Sequence, residues 1–108
     1  MNQPEYSVVV PVFNSQESLL ELFEGIAAAF GELNTEFETI FVDDRSTDNS
    51  WEVLKNLKQE HPQHIKIIRL SRNYGQHNAT LCGLMFAKGE AIITIDDDLQ
   101  TPPHEIIT

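Results

Sequence analysis

Four short apolar runs punctuate the 108-residue chain: YSVVVPVF over 6–13, FETIFV over 37–42, IKIIRL over 65–70 and AIITI over 91–95. Each is rich in Val and Ile, as a strand buried on both faces of a sheet should be. The segments between them have helical spacing. Leu19, Leu22, Phe23, Ile26, Phe30 and Leu33 recur on one side, while Glu17, Glu21 and Glu24 take another. Asn14 or Ser15 is expected to cap this first helix, because Glu17 follows Asn14 in a near capping-box arrangement. A second helix is expected from STDNS at 46–50, carrying Trp51, Leu54 and Leu57. A third is expected from about Gly75 to Lys88, with Gly89 as its stop. Pro102, Pro103 and Glu105 read as the first turn of a fourth.

The order β-α-β-α-β-α-β, then the start of a helix, predicts an α/β domain with a parallel sheet and right-handed crossovers. Ligands of such open sheets bind beyond the carboxyl ends of the strands. The unusual residues of this chain stand there: PVFN after the first run, VDDRSTDNS after the second, LSRNYGQHN after the third and DDDLQT after the fourth.

Composition narrows the classes of partner. Seven Lys and Arg against 17 Asp and Glu give a net charge of −10. That balance disfavours nucleic acid and anionic membrane surfaces and suits a protein that recruits cations. The single cysteine, Cys82, has no internal disulfide partner, which fits a reducing compartment. No apolar run in these residues approaches the length of a membrane span, and the opening MNQPEYS lacks a signal-peptide core. No repeat, low-complexity segment or linker divides the chain, so residues 1–108 read as one unit.

Asp96, Asp97 and Asp98 follow the fourth run directly. Two like charges about 4 Å apart repel by roughly 1 kcal/mol in water and by several at lower dielectric, so the cluster points to a cation. Asp96 and Asp98, one residue apart, can face a single crevice, and Gln100 adds an amide oxygen at the next alternate position. Hard divalent cations take oxygen ligands, and Mg²⁺ typically takes one or two carboxylates together with substrate phosphates. The plainer alternative is a solvated acidic turn at a helix N-terminus. Asp43 and Asp44 leave the second run together and can accept hydrogen bonds from a nucleobase edge or a ribose hydroxyl, whereas Ser46, Thr47 and Asp48 read as helix caps. Pro11 fixes the backbone at the end of the first run, and Phe13 offers a flat face to a base, with core packing an equal alternative. Arg72 can counter the acids or a phosphate, or form a simple ion pair. His77 reads as a helix-face residue, and His61 and His64 as loop residues without partners at zinc spacing. An EF-hand loop fails on Thr101 and Ile107 in one frame and on Lys55 in another. There is no G-x-G-x-x-G and no Walker lysine, which leaves metal as the means of neutralising a diphosphate.

VVVPVFN, FVDDRSTDNS, SRNYGQHNA and TIDDDLQTPP, in this order, resemble the family-2 glycosyltransferases of the GT-A fold. D-x-D-L-Q-x-P-P is most similar to the branch that glycosylates polyprenyl and dolichyl phosphates. The resemblance implies a GT-A, Rossmann-like three-layer fold with a mostly parallel sheet, strand order 3-2-1-4, truncated here after the fourth strand. It implies transfer of a sugar, with inversion, from a UDP- or GDP-linked donor to a polyprenyl phosphate. It places Mg²⁺ or Mn²⁺ on Asp96, Asp98 and Gln100, with Asp98 catalytic. It places Pro11, Phe13, Asp43, Asp44, Arg72, Gly75, Asp96 and Asp97 around the nucleotide sugar, Asp97 being at a position that is usually small or variable. Two departures stand out: Ser15 where the family often has Glu, and Phe13 where Tyr is usual.

Longer relatives continue with the acceptor-side half of the domain and often with membrane helices. A cytoplasmic location is implied, at the cytoplasmic membrane face for the longer protein. The 108-residue chain is expected to bind donor without turnover and to self-associate through the exposed edge of its fourth strand. A haloacid-dehalogenase-like phosphatase is disfavoured by Gln100 and by a motif that follows the fourth run rather than the first. A receiver domain is disfavoured by PVFN after the first run. A nucleotide-sugar-binding module without its own catalysis stays open.

Overall fold

The computed structural model describes residues 4–97. Asp98, Gln100 and the expected fourth helix around Pro102, Pro103 and Glu105 lie outside them. The elements are β1 (Tyr6–Val12), α1 (Leu19–Leu33), β2 (Phe37–Asp43), α2 (Ser50–Glu60), β3 (Ile65–Arg69), α3 (Gln76–Phe86) and β4 (Ala91–Thr94). They form one four-stranded sheet in the order β3-β2-β1-β4. All three pairings are parallel, with Tyr6 opposite Phe37 and Ala91, and Thr39 opposite Ile65.

The continuous apolar runs are explained by the layers they divide. Val8, Val10 and Val12 face α1 and α2 in a core with Leu22, Phe23, Ile26, Phe30, Phe41 and Leu54. Val9, Ile40 and Val42 face the other way, against Ala79 of α3. Side chains alternate across a strand, so β1 and β2, buried on both faces, are apolar at most positions, whereas β3 is only half-buried and β4, expected to be buried on both faces, is largely exposed. α1 and α2 therefore cover one face and α3 the other. Phe30 stacks on Phe37 at 5.0 Å between ring centroids, and Phe37 stacks on His64 at 4.8 Å. His61 lies 4.8 Å from Phe23. His64 thus packs flat against the larger core, whereas the His61 ring is tilted 47° to Phe23.

α3 lies close against the sheet. A Cβ on Gly83 would stand 2.4 Å from Val9 Cγ1 and 3.1 Å from Val42 Cγ2. Gly89, expected as a helix stop, has another role. Its Cβ would meet Ser7 N and the Tyr6 carbonyl carbon at 2.6 Å, so the absent side chain lets the loop before β4 touch β1. The helix itself ends earlier, at Phe86.

Helix starts also differ from expectation. α1 begins at Leu19 behind Ser18, not behind Asn14 or Ser15. Asn14 adopts a left-handed φ of 53°. Its side-chain oxygen accepts the backbone N–H of Thr47 at 2.8 Å and of Asp48 at 3.3 Å. The residue that looked like a local cap joins two loops instead. Ser46 likewise braces loops: its hydroxyl donates to Asp43 and accepts the Asn14 N–H at 2.9 Å.

Candidate functional site at the carboxyl rim of the sheet

β1 is the strand at which the crossovers change face, and its carboxyl end is flanked by β2 and β4. A cleft of about 320 Å³ opens there. Pro11, Val12 and Phe13 form one wall, Asp44 and Gly75 another, and Asn73, Gln76 and Asp97 complete it. Phe13 is 45% exposed, which leaves its ring open for stacking rather than buried in the core.

Asp44 lines the cleft but is only 2% exposed. Its Oδ1 accepts the Tyr74 N–H at 2.7 Å and its Oδ2 accepts the Gly75 N–H at 2.9 Å. Gly75 has φ +97°, a conformation that favours glycine, and the Asp44 carboxylate grips that turn. The N-terminus of α3 is thereby set against β2. Asp43 stands behind the cleft and is fully buried. Its Oδ1 accepts the N–H of Ser46 at 3.1 Å as well as the Ser46 hydroxyl, and its Oδ2 lies 3.3 Å from Arg69 Nε. Arg69 in turn sits over the Trp51 ring, 5.5 Å from its centroid.

The acid turn after β4 splits two ways. Asp96 is exposed, and its Oδ1 accepts a hydrogen bond from Gln76 Nε2 at 2.7 Å. Asp97 turns to the β1–α1 loop. Its Oδ2 accepts the Phe13 N–H at 2.9 Å and the Ser15 hydroxyl, and its carbonyl accepts the Ser18 hydroxyl at 2.6 Å. On the flank, burial pushes the Asp48 carboxyl up. The Ser50 hydroxyl and N–H, with the Gln16 N–H, outweigh that and hold it below its ordinary value.

Of the residues expected around a nucleotide sugar, Pro11, Phe13, Asp44, Gly75 and Asp97 line the cleft, and Asp96 stands beside it on Gln76. Asp43 and Arg72 do not line it. Arg72 lies over the Tyr74 ring at 4.9 Å, and the cation that meets the strand-end acids is Arg69. The sequence reading missed Asn73 and Gln76. Their position in the N-Y-G-Q turn after β3 was the available signal. Among the described residues no three acidic, His or Cys side chains converge as a ligand set. Of the expected metal ligands, Asp96 is described and offers an exposed carboxylate at the mouth of the cleft, the donor type a hard divalent cation takes. No helix among the described residues is long and apolar enough to cross a membrane.

The chain is similar to known proteins of one family. The model of a family described as glycosyl transferase family 2 matches residues 7–107. The crystal structure of S. aureus TarS 1–349 is 30% identical with a TM-score of 0.75, over 87% of this chain and 27% of that one. The same protein has been solved with UDP and with UDP-GlcNAc. The mannosyltransferase PcManGT from Pyrobaculum calidifontis, solved with GDP-Man and Mn²⁺, is 24% identical with a TM-score of 0.76, over 90% of this chain and 28% of that one. The chain thus has the GT-A fold and spans about a quarter of the length of these structures.

Proposed function

Because the chain belongs to glycosyl transferase family 2, we propose that it binds a nucleoside diphosphate sugar at the carboxyl rim of the sheet, with a divalent cation, Mg²⁺ or Mn²⁺, between the acid turn and the diphosphate. The observation that carries this reading is the meeting of Phe13, Asp44 and the Asp96–Asp97 turn around one cleft at the point where the crossovers change face. The exposed ring of Phe13 stacks on the base, and Asn73 and Gln76 offer amide groups to the nucleoside. UDP or GDP is the nucleotide class. The UDP complexes of TarS support the first of these.

In this reading Asp96, Asp98 and Gln100 hold the cation, and Asp98 is the catalytic carboxylate. The cation supplies charge stabilisation to the departing diphosphate. The longer protein transfers the sugar with inversion to a polyprenyl phosphate. An acceptor phosphate oxygen bonds to the anomeric carbon as the bond from that carbon to the diphosphate oxygen breaks. The acceptor is already anionic and needs little help from a general base. The D-x-D-L-Q-x-P-P stretch supports this acceptor class. The site of action is the cytoplasmic face of the membrane. The 108-residue chain by itself binds donor without turnover, since in-line placement of the acceptor needs the part of the domain that follows in longer relatives.

Titration calorimetry with UDP and GDP, in Mn²⁺ and in EDTA, tests the reading. Tighter binding of one nucleotide in Mn²⁺ is expected, and equal affinity in EDTA overturns the role of the cation. Turnover of labelled UDP- or GDP-sugar with polyprenyl phosphate, compared between this chain and a longer one, tests the rest.

A further inference from the structure

We propose that Asp97 is a positioning residue, a latch that holds the acid turn in register with the β1–α1 loop, and that Ser15 is its counterpart. This rests on the donor site proposed above. Two neighbouring carboxylates in one turn point to opposite sides of the sheet. Asp96 is drawn toward α3 by the Gln76 amide at 2.7 Å. Asp97 is drawn toward α1, where one of its oxygens takes both the Phe13 N–H, at 2.9 Å, and the Ser15 hydroxyl. The Ser18 hydroxyl closes the same loop onto the Asp97 carbonyl at 2.6 Å. A carboxylate oxygen that accepts an N–H and an O–H is engaged in charge-assisted bonds. It is oriented toward the loop.

The latch joins the two halves of the site. Phe13 carries the stacking ring, and the turn carries Asp96. A bond from the Phe13 backbone to the residue after Asp96 holds ring and metal ligand in register before any ligand arrives, so less ordering is left to the binding step. The residue at position 15 matters in the same way. A serine hydroxyl can donate to Asp97, whereas a second carboxylate there would face it as a like charge. Ser15 and Asp97 are therefore a matched pair.

Three variants separate the latch from direct metal ligation. Asp97→Ala removes the acceptor. Asp97→Asn keeps an oxygen acceptor without the charge. Ser15→Ala removes one donor. With the latch, Asp97→Ala weakens Mn²⁺-dependent binding of UDP or GDP about tenfold, Ser15→Ala weakens it by a smaller factor, and Asp97→Asn restores most of the loss. The Ser15→Ala/Asp97→Ala double variant is no weaker than Asp97→Ala alone. If Asp97→Asn loses the Mn²⁺ enhancement as fully as Asp97→Ala while Ser15→Ala keeps it, Asp97 is a ligand and the latch is wrong.

Hydrogen exchange at the Phe13 amide gives a readout that needs no nucleotide. Exchange should quicken about tenfold in Asp97→Ala and little in Asp97→Asn. Equal exchange in the parent and Asp97→Ala overturns the latch. If the parent binds neither nucleotide, the donor-site reading fails by itself and the amide exchange still decides the latch.

Discussion

Glu38 is only 5% exposed, on the second residue of β2. Three donors meet its carboxylate: the Ser7 hydroxyl, the Lys66 ammonium at 2.8 Å and the Lys88 N–H at 2.8 Å. The Gly89 N–H continues the chain to Ser7 Oγ at 2.7 Å. Burial pushes this carboxyl up, but the bonds from Lys66, Ser7 and Lys88 together hold it below its ordinary value of 4.5. A group lowered in the folded state stabilises the fold fully above its unfolded value, and that contribution is lost as pH falls through the folded one. Acid melts should therefore steepen below about pH 4.5 in the parent. Glu38→Gln should lack that part of the slope. Glu38→Ala should lose about 2 kcal/mol at neutral pH, toward the low end for a charged hydrogen-bonded group because Lys66 is 38% exposed. Parallel acid melts for parent and Glu38→Gln would refute this. None of the network was legible in the sequence. A glutamate near the start of a strand reads as solvent-facing, and its partners come from positions 7, 66 and 88. The same limit hid the partners of Asp44 and Asp97. Residue type reveals a hydrogen-bonding group, and the fold decides which distant backbone it meets.

Elements were more legible than contacts. The apolar runs became four strands within a residue or so of their expected ends, but burial on both faces holds only for β1 and β2, whereas β3 is half-buried and β4 largely exposed. Helix starts were less so, since Asn14, Ser15 and Ser46 also hydrogen-bond across loops. Two predictions belong to this scale. Gly83→Ala places a methyl 2.4 Å from Val9 Cγ1, a β-branched side chain buried without room to turn. We expect a loss of about 1–3 kcal/mol despite the better helix propensity of alanine. Pairing it with Val9→Ala should recover part of the melting temperature, because the clashing methyl is gone. No recovery would mean that the contact at Val9 is not the cause. The second concerns β4, whose outer edge has no strand beside it among the described residues. Ile92 is 46% exposed there, and on α3 Leu81, Met85 and Phe86 are also exposed. Such an edge templates pairing with another copy, and a lysine blunts it. Sedimentation of the 108-residue chain should show concentration-dependent association that Ile92→Lys reduces. A parent that stays monomeric at every concentration would remove the edge as an association site.

At the scale of the whole molecule the carboxyl rim carries more acids than bases. Asp44, Asp48, Asp96 and Asp97 gather at or beside the carboxyl rim. Three of the seven basic residues, Arg45, Arg69 and Arg72, follow or end β2 and β3 at the same rim. Three more, Lys58, Lys66 and Lys88, border a separate cleft at the opposite end that Glu36 and Glu38 also line. With a net charge of −10, the molecule presents a repelling field to any anion that approaches the site. The consequence is an order of arrival. On the donor-site reading proposed above, a free nucleoside diphosphate would be turned away at a distance, whereas a cation would be drawn in, and a nucleotide travelling with its cation would meet a smaller barrier. Electrostatic steering usually makes association slow down as salt rises, and here the sign reverses for the bare anion. In stopped-flow mixing without metal, the association rate of UDP or GDP should rise as ionic strength goes from about 0.01 M to about 0.15 M, because the Debye length shortens from about 30 Å to about 8 Å. With Mn²⁺ present the rate should be higher and depend less on salt. A metal-free rate that falls with salt would mean that the nucleotide enters past a positive surface, on a side of the molecule other than the acidic rim.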